Sequence, residues 1–435
     1  MTYLPPGNSP YVIYVLATLV AARVFYTYLG RKSDNPDALP LPPGPKGLPI
    51  VGNVFDIPLN QPWLVYDDWI KTYGDMVYLN ILGKGILILG SMERINDIFE
   101  KRGNNYSDRP PMPMIKDLMG WDFALSFITY GSGVDNWDNE NVKDLEEALG
   151  MVFEAAVPGR YLVDIFPLMK YIPSWFPGAG WKRTAELSRK LVTKAVNDPY
   201  ERVKKEMSEG KAVPSVCSQL IEALPSVLGS PERAKEEHLA KSILAQIYTA
   251  GADTTTSACL TFLLAMTLYP EIQRKAQAEL DSVLQGRLPE FSDRPSLPYI
   301  NAMVKETNRW QMVTPCGLYH SATESGIYDG YYIPRGTLVL GNGWTILHDP
   351  QEFESPDQYI PERYLKDGKI NPEVRDPTVA AFGYGKRKCP GRFFSEDSLF
   401  SIIAHVLSVY ELKPGLDSDG KEVRIIPEYT SRAAS

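Results

Sequence analysis

Between Phe382 and Arg392 the chain reads FGYGKRKCPGR, a single cysteine set among three glycines and four cations. Whatever fold the rest adopts must present this loop. The glycines permit left-handed turns and let the backbone approach a flat ligand closely. Lys386, Arg387, Lys388 and Arg392 surround Cys389 with positive charge, and a helix opening just after Gly391 adds its N-terminal dipole. Such surroundings favour a thiolate, the form in which sulfur binds iron. A buried free cysteine is the commoner fate of a lone thiol, and the residues alone leave that alternative open.

Composition bounds what surrounds the loop. At 435 residues, without internal repeats or a low-complexity spacer, the simplest count is one large domain and an anchor. Hydrophobic residues make up 44% of the chain, enough to bury a substantial core. A formal charge of -8 argues against a nucleic-acid partner. The four cysteines, Cys217, Cys259, Cys316 and Cys389, are too scattered for a disulfide framework or a zinc site and fit a reducing compartment.

Residues 11–29, YVIYVLATLVAARVFYTYL, are nearly long enough at ~1.5 Å per residue to cross a bilayer core, with Arg23 placed to snorkel. Arg31 and Lys32 follow, and no lysine or arginine precedes the run. The positive-inside rule therefore puts residues 1–10 in the lumen and the body of the chain in the cytoplasm. A cleaved signal peptide is the competing reading, and the missing basic n-region counts against it. Residues 30–48 form a linker in which Pro40-Leu41-Pro42-Pro43-Gly44-Pro45 is a rigid, extended hinge. The globular domain runs from 49 to 435.

Within that domain, Met76 to Leu89 predicts two short strands about a turn at Gly83-Lys84-Gly85, and Ser91 is placed to cap a helix reaching about Lys101. Tyr106-Ser107-Asp108-Arg109-Pro110 closes this block. Residues 162–167 and 171–177 are apolar and broken by proline, an inter-helix loop. The longest helical pattern runs from Glu236 to Tyr269, with Leu239, Ile243, Ile247 and Ala250 on one stripe. Its middle, AGADTTT at 250–256, has poor helix propensity. Thr254 can return its hydroxyl to the Ala250 carbonyl and bend the helix, making room for a small molecule. A kinked core helix with Asp253 in solvent is the alternative. A helix from about Pro298 to Val313 sets Glu306 and Arg309 on one face, where they can pair. A solvated surface bridge is the usual outcome of such a pair. Tyr328 to Leu340 alternates like sheet, and Phe393 to Tyr410 predicts a helix behind the cysteine loop.

Phe-x-x-Gly-x-Arg-x-Cys-x-Gly, met at Phe382, Gly385, Arg387, Cys389 and Gly391, resembles the haem-binding loop of the cytochrome P-450 haem-thiolate monooxygenases. The hinge, AGADTT, Glu306-x-x-Arg309 and Pro361-Glu362-Arg363-Tyr364 fall in that family's order, most like its fungal microsomal members similar to O-methylsterigmatocystin oxidoreductase. The resemblance implies a mainly α (α+β) fold, a helical prism with a small β-rich lobe, preceded by one transmembrane helix in the endoplasmic reticulum. It implies haem b with the Cys389 thiolate as axial ligand of the iron. Arg387 and His320 would contact the haem propionates, Phe382 would lie under the porphyrin, and Gly385 and Gly391 would shape the loop. Asp253 and Thr254 would be catalytic, relaying protons to dioxygen. Glu306, Arg309 and Arg363 would form a buried structural network that locks the loop. Electrons would come from NADPH through a membrane-bound reductase docked on the basic residues around Cys389, and an apolar small molecule would be oxidised, in secondary metabolism or xenobiotic oxidation.

One stretch departs from the family. Its members carry a Trp-x-x-x-Arg helix that holds a propionate, whereas here Trp121 is followed four residues later by Leu125 and Trp137 by Asn141. Phe127 to Gly131 runs straight into the acidic stretch Ser132 to Glu147, as at a join between distant segments, so the domain reads as internally shortened near 127–144. A second reading starts from that gap: a membrane-anchored variant of the family unable to hold haem. A histidine-ligated haem is a third, weakened because none of His238, His320, His348 or His405 sits in a comparable loop.

Overall fold

The computed structural model describes residues 37–119, 140–155, 157, 160–225, 227 and 229–426, together with 18, 34 and 35. It is mainly helical with small sheets and divides into two compact units, Met1–Phe25 with Pro111–Asp253 and Tyr26–Pro110 with Thr254–Ser435. The span 11–29 lies outside the described residues except for Thr18. Among the described residues no helix is long and apolar enough to cross a membrane.

In the second unit the proline-rich stretch is docked along its backbone. Tyr78 N donates to Pro43 O at 2.7 Å and Tyr332 N to Pro40 O at 2.8 Å. Gly44 sits at the closest approach, where a Cβ would fall 2.2 Å from Tyr78 O. Pro62 at the first position opens helix α1 (Pro62–Tyr73), which buries Trp63, Tyr66 and Ile70 and ends at Gly74. Strands β1 (Met76–Ile81) and β2 (Lys84–Leu89) pair antiparallel. Their turn is Leu82-Gly83, both at positive φ (48 and 87), earlier than the glycine triplet suggested. Gly85 instead pairs with Asn80 inside the hairpin, and a Cβ there would meet Tyr78 Oη. Ser91 Oγ accepts from Arg94 N and caps Met92–Ile95, after which the helix widens into a π turn over Asn96–Lys101.

The first unit holds α2 (Glu140–Ala155), α3 (Gly180–Ser208), α4 (Val216–Glu222) and the N-terminal part of α5 (Pro231–Leu268). Met114, Ala155, Val163 and Ala185 form one apolar cluster, and Tyr200, Val203, Cys217 and Leu244 another. The stripe expected on α5 is turned: Leu239 and Ile243 are exposed, while Ala240, Leu244 and Ala245 are buried. Two adjacent faces of this helix are apolar, so periodicity alone could not choose between them.

In the second unit the chain continues through α6 (Pro270–Leu284), α7 (Pro298–Trp310), α8 (Gly343–Leu347) and α9 (Arg392–Val409). Phe262, Leu280, Ile300, Met303, Phe400 and Ile403 pack between the longer helices. Strands β3 (His320–Ser321), β4 (Gly326–Tyr328), β5 (Tyr331–Ile333) and β6 (Leu338–Gly341) follow α7. The main sheet has the order β1-β2-β6-β3, with β2 and β6 parallel and Ile86 opposite Leu338. A second core, including Leu87, Phe99, Tyr106, Val339 and Tyr384, joins the sheet to the chain around Cys389. Pairing of His320 with Val339 across β3 and β6 carries the histidine into that core.

Candidate functional site

The loop before Cys389 turns through Gly383 (φ 74) and Gly385 (φ 57) and is closed by Cys389 N, which donates to Phe382 O at 2.8 Å. Both glycines hold left-handed conformations that a side chain disfavours. Gly385 also runs so near Phe99 that a Cβ would lie 2.4 Å from its carbonyl oxygen, and its N–H donates to Glu100 Oε1 at 3.1 Å. The π turn over 96–101 therefore serves as the bed of the loop. Gly391 has an ordinary φ of −82, and a Cβ there would make normal contact with Cys389 Sγ at 3.9 Å, so the protein itself does not demand glycine at that position. Cys389 and Phe382 are half-buried, and Arg392 Nη1 reaches back to Cys389 O at 3.1 Å as α9 begins.

Two residues before the thiol, Arg387 Nε donates to Ser107 O at 2.8 Å. Arg109 Nη1 donates to Tyr319 O at 2.8 Å and Leu318 O at 3.2 Å. Neither guanidinium has a carboxylate partner among the described residues. Burial and the charge of Arg387 hold the Arg109 pKa below its ordinary value. His320 joins them, with Nδ1 2.7 Å from Tyr106 O and its ring centroid 4.4 Å from that of Phe99. Burial pushes its pKa down to about 4, with both guanidiniums adding to the shift. Like charges gathered without an acid are costly, and an anion with carboxylate geometry relieves them. The sequence brought Arg387 and His320 to this place but not Arg109. Asp108 beside it does not pair with the guanidinium; its carboxylate accepts from the Arg109 backbone N–H at 2.8 Å.

Glu306, Arg309 and Arg363 meet in the same unit. Arg309 forks onto Glu306 at 2.8 and 2.9 Å, and Arg363 Nε approaches Glu306 Oε1 at 3.2 Å. Glu306 and Arg309 are fully buried. Ile360 N also donates to Glu306, and Arg309 donates to Leu347 O and Gln358 O, so the network ties α7 to the end of α8 and the segment that follows it. Asp253 and Thr254 are half-buried on α5, which stays α-helical through 250–256 with neither break nor π turn. The boundary between the two units falls between these residues, Asp253 belonging to the first and Thr254 to the second. Two of the other histidines make local contacts: His348 stacks on Trp344 with centroids 3.6 Å apart, and His405 Nδ1 lies 2.7 Å from Ser401 O, while His238 is exposed. Among the described residues no three His, Cys, Asp or Glu side chains gather as a metal-binding group.

A family model described as Cytochrome P450 matches residues 42–124 and 123–425. The chain is 38% identical over 483 residues to Cytochrome P450 monooxygenase COX1 of Coprinopsis cinerea, covering 96% of this chain and 93% of that protein. It is 36% identical over 490 residues to Tryptamine 4-monooxygenase of Psilocybe cyanescens, covering 97% and 95%. Cytochrome P450 monooxygenase ARMGADRAFT_974139 of Armillaria gallica is similar at 36% over 475 residues, 94% of this chain and 92% of its own. The family match breaks at 123–124, just before the join read at 127–144. Consistently, 96% of 435 residues is about 418, some 65 fewer than the 483 aligned with the Coprinopsis protein. Residues 120–139 lie outside the described structure.

Proposed function

The chain belongs to the cytochrome P450 family, whose members are oxidoreductases that bind haem through a cysteine thiolate and insert one atom of dioxygen into a small molecule, and on that premise we propose that Cys389 is the axial ligand of haem b in this chain. The observation that carries the reading is the cluster of Arg109, Arg387 and His320, which has no carboxylate partner among the described residues and whose Arg387 stands two residues before a half-buried thiol. The residues fit the group. A porphyrin brings two carboxylates to neutralise the guanidiniums, and Cys389 offers the sulfur. This cluster is formed despite the missing Trp-x-x-x-Arg helix, so the variant unable to hold haem is not favoured.

When bound, haem supplies the oxygen-activating redox chemistry. The chain's own residues do the rest. Gly383 and Gly385 let the loop lie on the π turn, and Phe382 O closes it by accepting from Cys389 N. Glu306, holding Arg309, Arg363 and Ile360 N, fixes the segments that lead to the loop. Asp253 and Thr254 carry protons on α5. The substrate is an apolar small molecule handled in secondary metabolism or xenobiotic oxidation. Electrons come from NADPH through a reductase that docks on Lys386, Lys388 and Arg392.

The same proposal places the chain on the cytoplasmic face of the endoplasmic reticulum, anchored by residues 11–29. Leu48, Ile50, Phe55 and Leu59, just downstream of that span, are 56–79% exposed, as are Leu168, Tyr171 and Trp175 in the first unit at 74–78%. Exposed apolar groups of this size support contact with lipid. Carbon monoxide binding to dithionite-reduced microsomes carrying the chain tests the haem assignment. The thiolate-type Soret band is expected, and C389A must lose it. Persistence of that band in C389A, or its absence from the unaltered chain after haem is added, overturns the assignment.

A further inference from the structure

His320 has a further role in this arginine cluster, one that rests on the haem reading. Tyr106 O lies 2.7 Å from Nδ1, and a carbonyl can only accept, so Nδ1 holds the hydrogen. Neutral imidazole has one N–H. Nε2 therefore presents a lone pair, and no protein group bonds it among the described residues. The charged groups facing the ring are Arg109, from the segment after Tyr106, and Arg387, from the cysteine loop. The Phe99 ring packs against it from the π turn, and β6 pairs with its strand, so neither adds a charge.

A carboxylate approaching this site meets two guanidiniums that donate and one ring nitrogen that repels it. The repulsion becomes a hydrogen bond if Nε2 gains a proton. Alone, the guanidiniums oppose that proton. A carboxylate neutralises them and itself accepts from Nε2. We infer that seating a carboxylate between Arg109, Arg387 and His320 draws one proton from the buffer onto Nε2 of His320, so that both ring nitrogens donate in the complex. Haem capture by this chain is then coupled to pH at a residue that does not touch the iron, which makes His320 a positioning residue whose grip is set by protonation.

Calorimetric titration of haem into the full chain expressed without haem, at about pH 6 in buffers of different ionisation enthalpy, counts the protons exchanged. Any proton exchange at Cys389 on ligation is common to every variant, so the signal is the difference between the unaltered chain and H320Q or H320N. Both amides keep a donor but cannot take up a proton. Each variant is expected to release about one proton more than the unaltered chain, whose advantage in haem affinity shrinks about tenfold per pH unit as His320 deprotonates. Equal proton counts overturn the inference while leaving the haem reading intact. No Soret band on adding haem to the unaltered chain sinks both. Nitrogen-15 shifts in the haem-loaded, carbon monoxide-bound chain give an independent readout that needs no variant, since only four histidines must be assigned. An imidazolium at His320 near pH 6 supports the inference, and a neutral ring refutes it.

Discussion

Replacing Glu306 by glutamine, which keeps its shape and removes its charge, tests the buried network directly. Glu306 accepts four hydrogen bonds, from Arg309 Nε (2.8 Å), Arg309 Nη2 (2.9 Å), Ile360 N (2.8 Å) and Arg363 Nε (3.2 Å). In E306Q one carbonyl oxygen must serve donors that previously shared two, while the new NH₂ group faces guanidinium N–H groups. Arg309 is wholly buried and the Arg363 side chain 8% exposed, so two cations are left facing each other without a counter-charge or much water. Breaking a buried pair in this way costs ~3 to 5 kcal/mol. At about 1.4 kcal/mol per decade this is roughly two to four powers of ten in the unfolding equilibrium. Urea unfolding followed by circular dichroism measures it, with E373Q as the control. The Lys366–Glu373 bridge is 58% and 70% exposed and should cost no more than ~1 kcal/mol to lose. If E306Q unfolds within ~1 kcal/mol of the unaltered chain, as E373Q should, the network does not hold the fold in the way described.

Other expectations follow from single contacts. Gly385→Ala forces a Cβ to 2.4 Å from Phe99 O at a positive φ, so the loop must lift off its bed, and haem content per folded chain should fall at least several-fold in the pyridine haemochrome assay; normal content would show that the loop tolerates the shift. Burial pushes the His348 pKa down to about 3, with Arg309 adding to the shift. Its neutral form is the one that fits, so its stabilisation is fully present above pH ~6.5 and is lost as pH falls toward 3, on the order of a few kcal/mol. Acid titration of stability in H348Q should accordingly be flatter than in the unaltered chain over that window, and identical slopes would remove His348 from the account. Phe55→Ser together with Trp175→Ser should weaken co-flotation with phosphatidylcholine vesicles of a chain lacking residues 1–29, and unchanged flotation would detach these exposed side chains from the membrane reading.

How much of this was legible in order along the chain varies by residue. The Cys389 loop was, because glycines at positive φ and a closing hydrogen bond from residue 389 to 382 are local requirements that leave a local pattern. Glu306 and Arg309 were legible as neighbours on one turn of α7, but not as buried. Their burial comes from Ile360, Leu347 and Gln358, which reach them only after the chain has folded. The stripe on α5 was misjudged because a helix apolar on two faces needs its neighbours to say which is inside. Arg109 was missed altogether. Nothing near it in order distinguishes an arginine poised for an anion from one paired with Asp108.

The sequence by itself determined which residues could bind iron, turn tightly or cap a helix, since those properties belong to a side chain and its immediate neighbours. Only the tertiary structure decided where charge would be left unbalanced. Arg109, Arg387 and His320 come from three separate segments, and the β2–β6–β3 pairing and the π turn beneath Gly385 bring them together. Electrostatic energy depends on distance through space and on the loss of water, and neither quantity exists until the chain is packed.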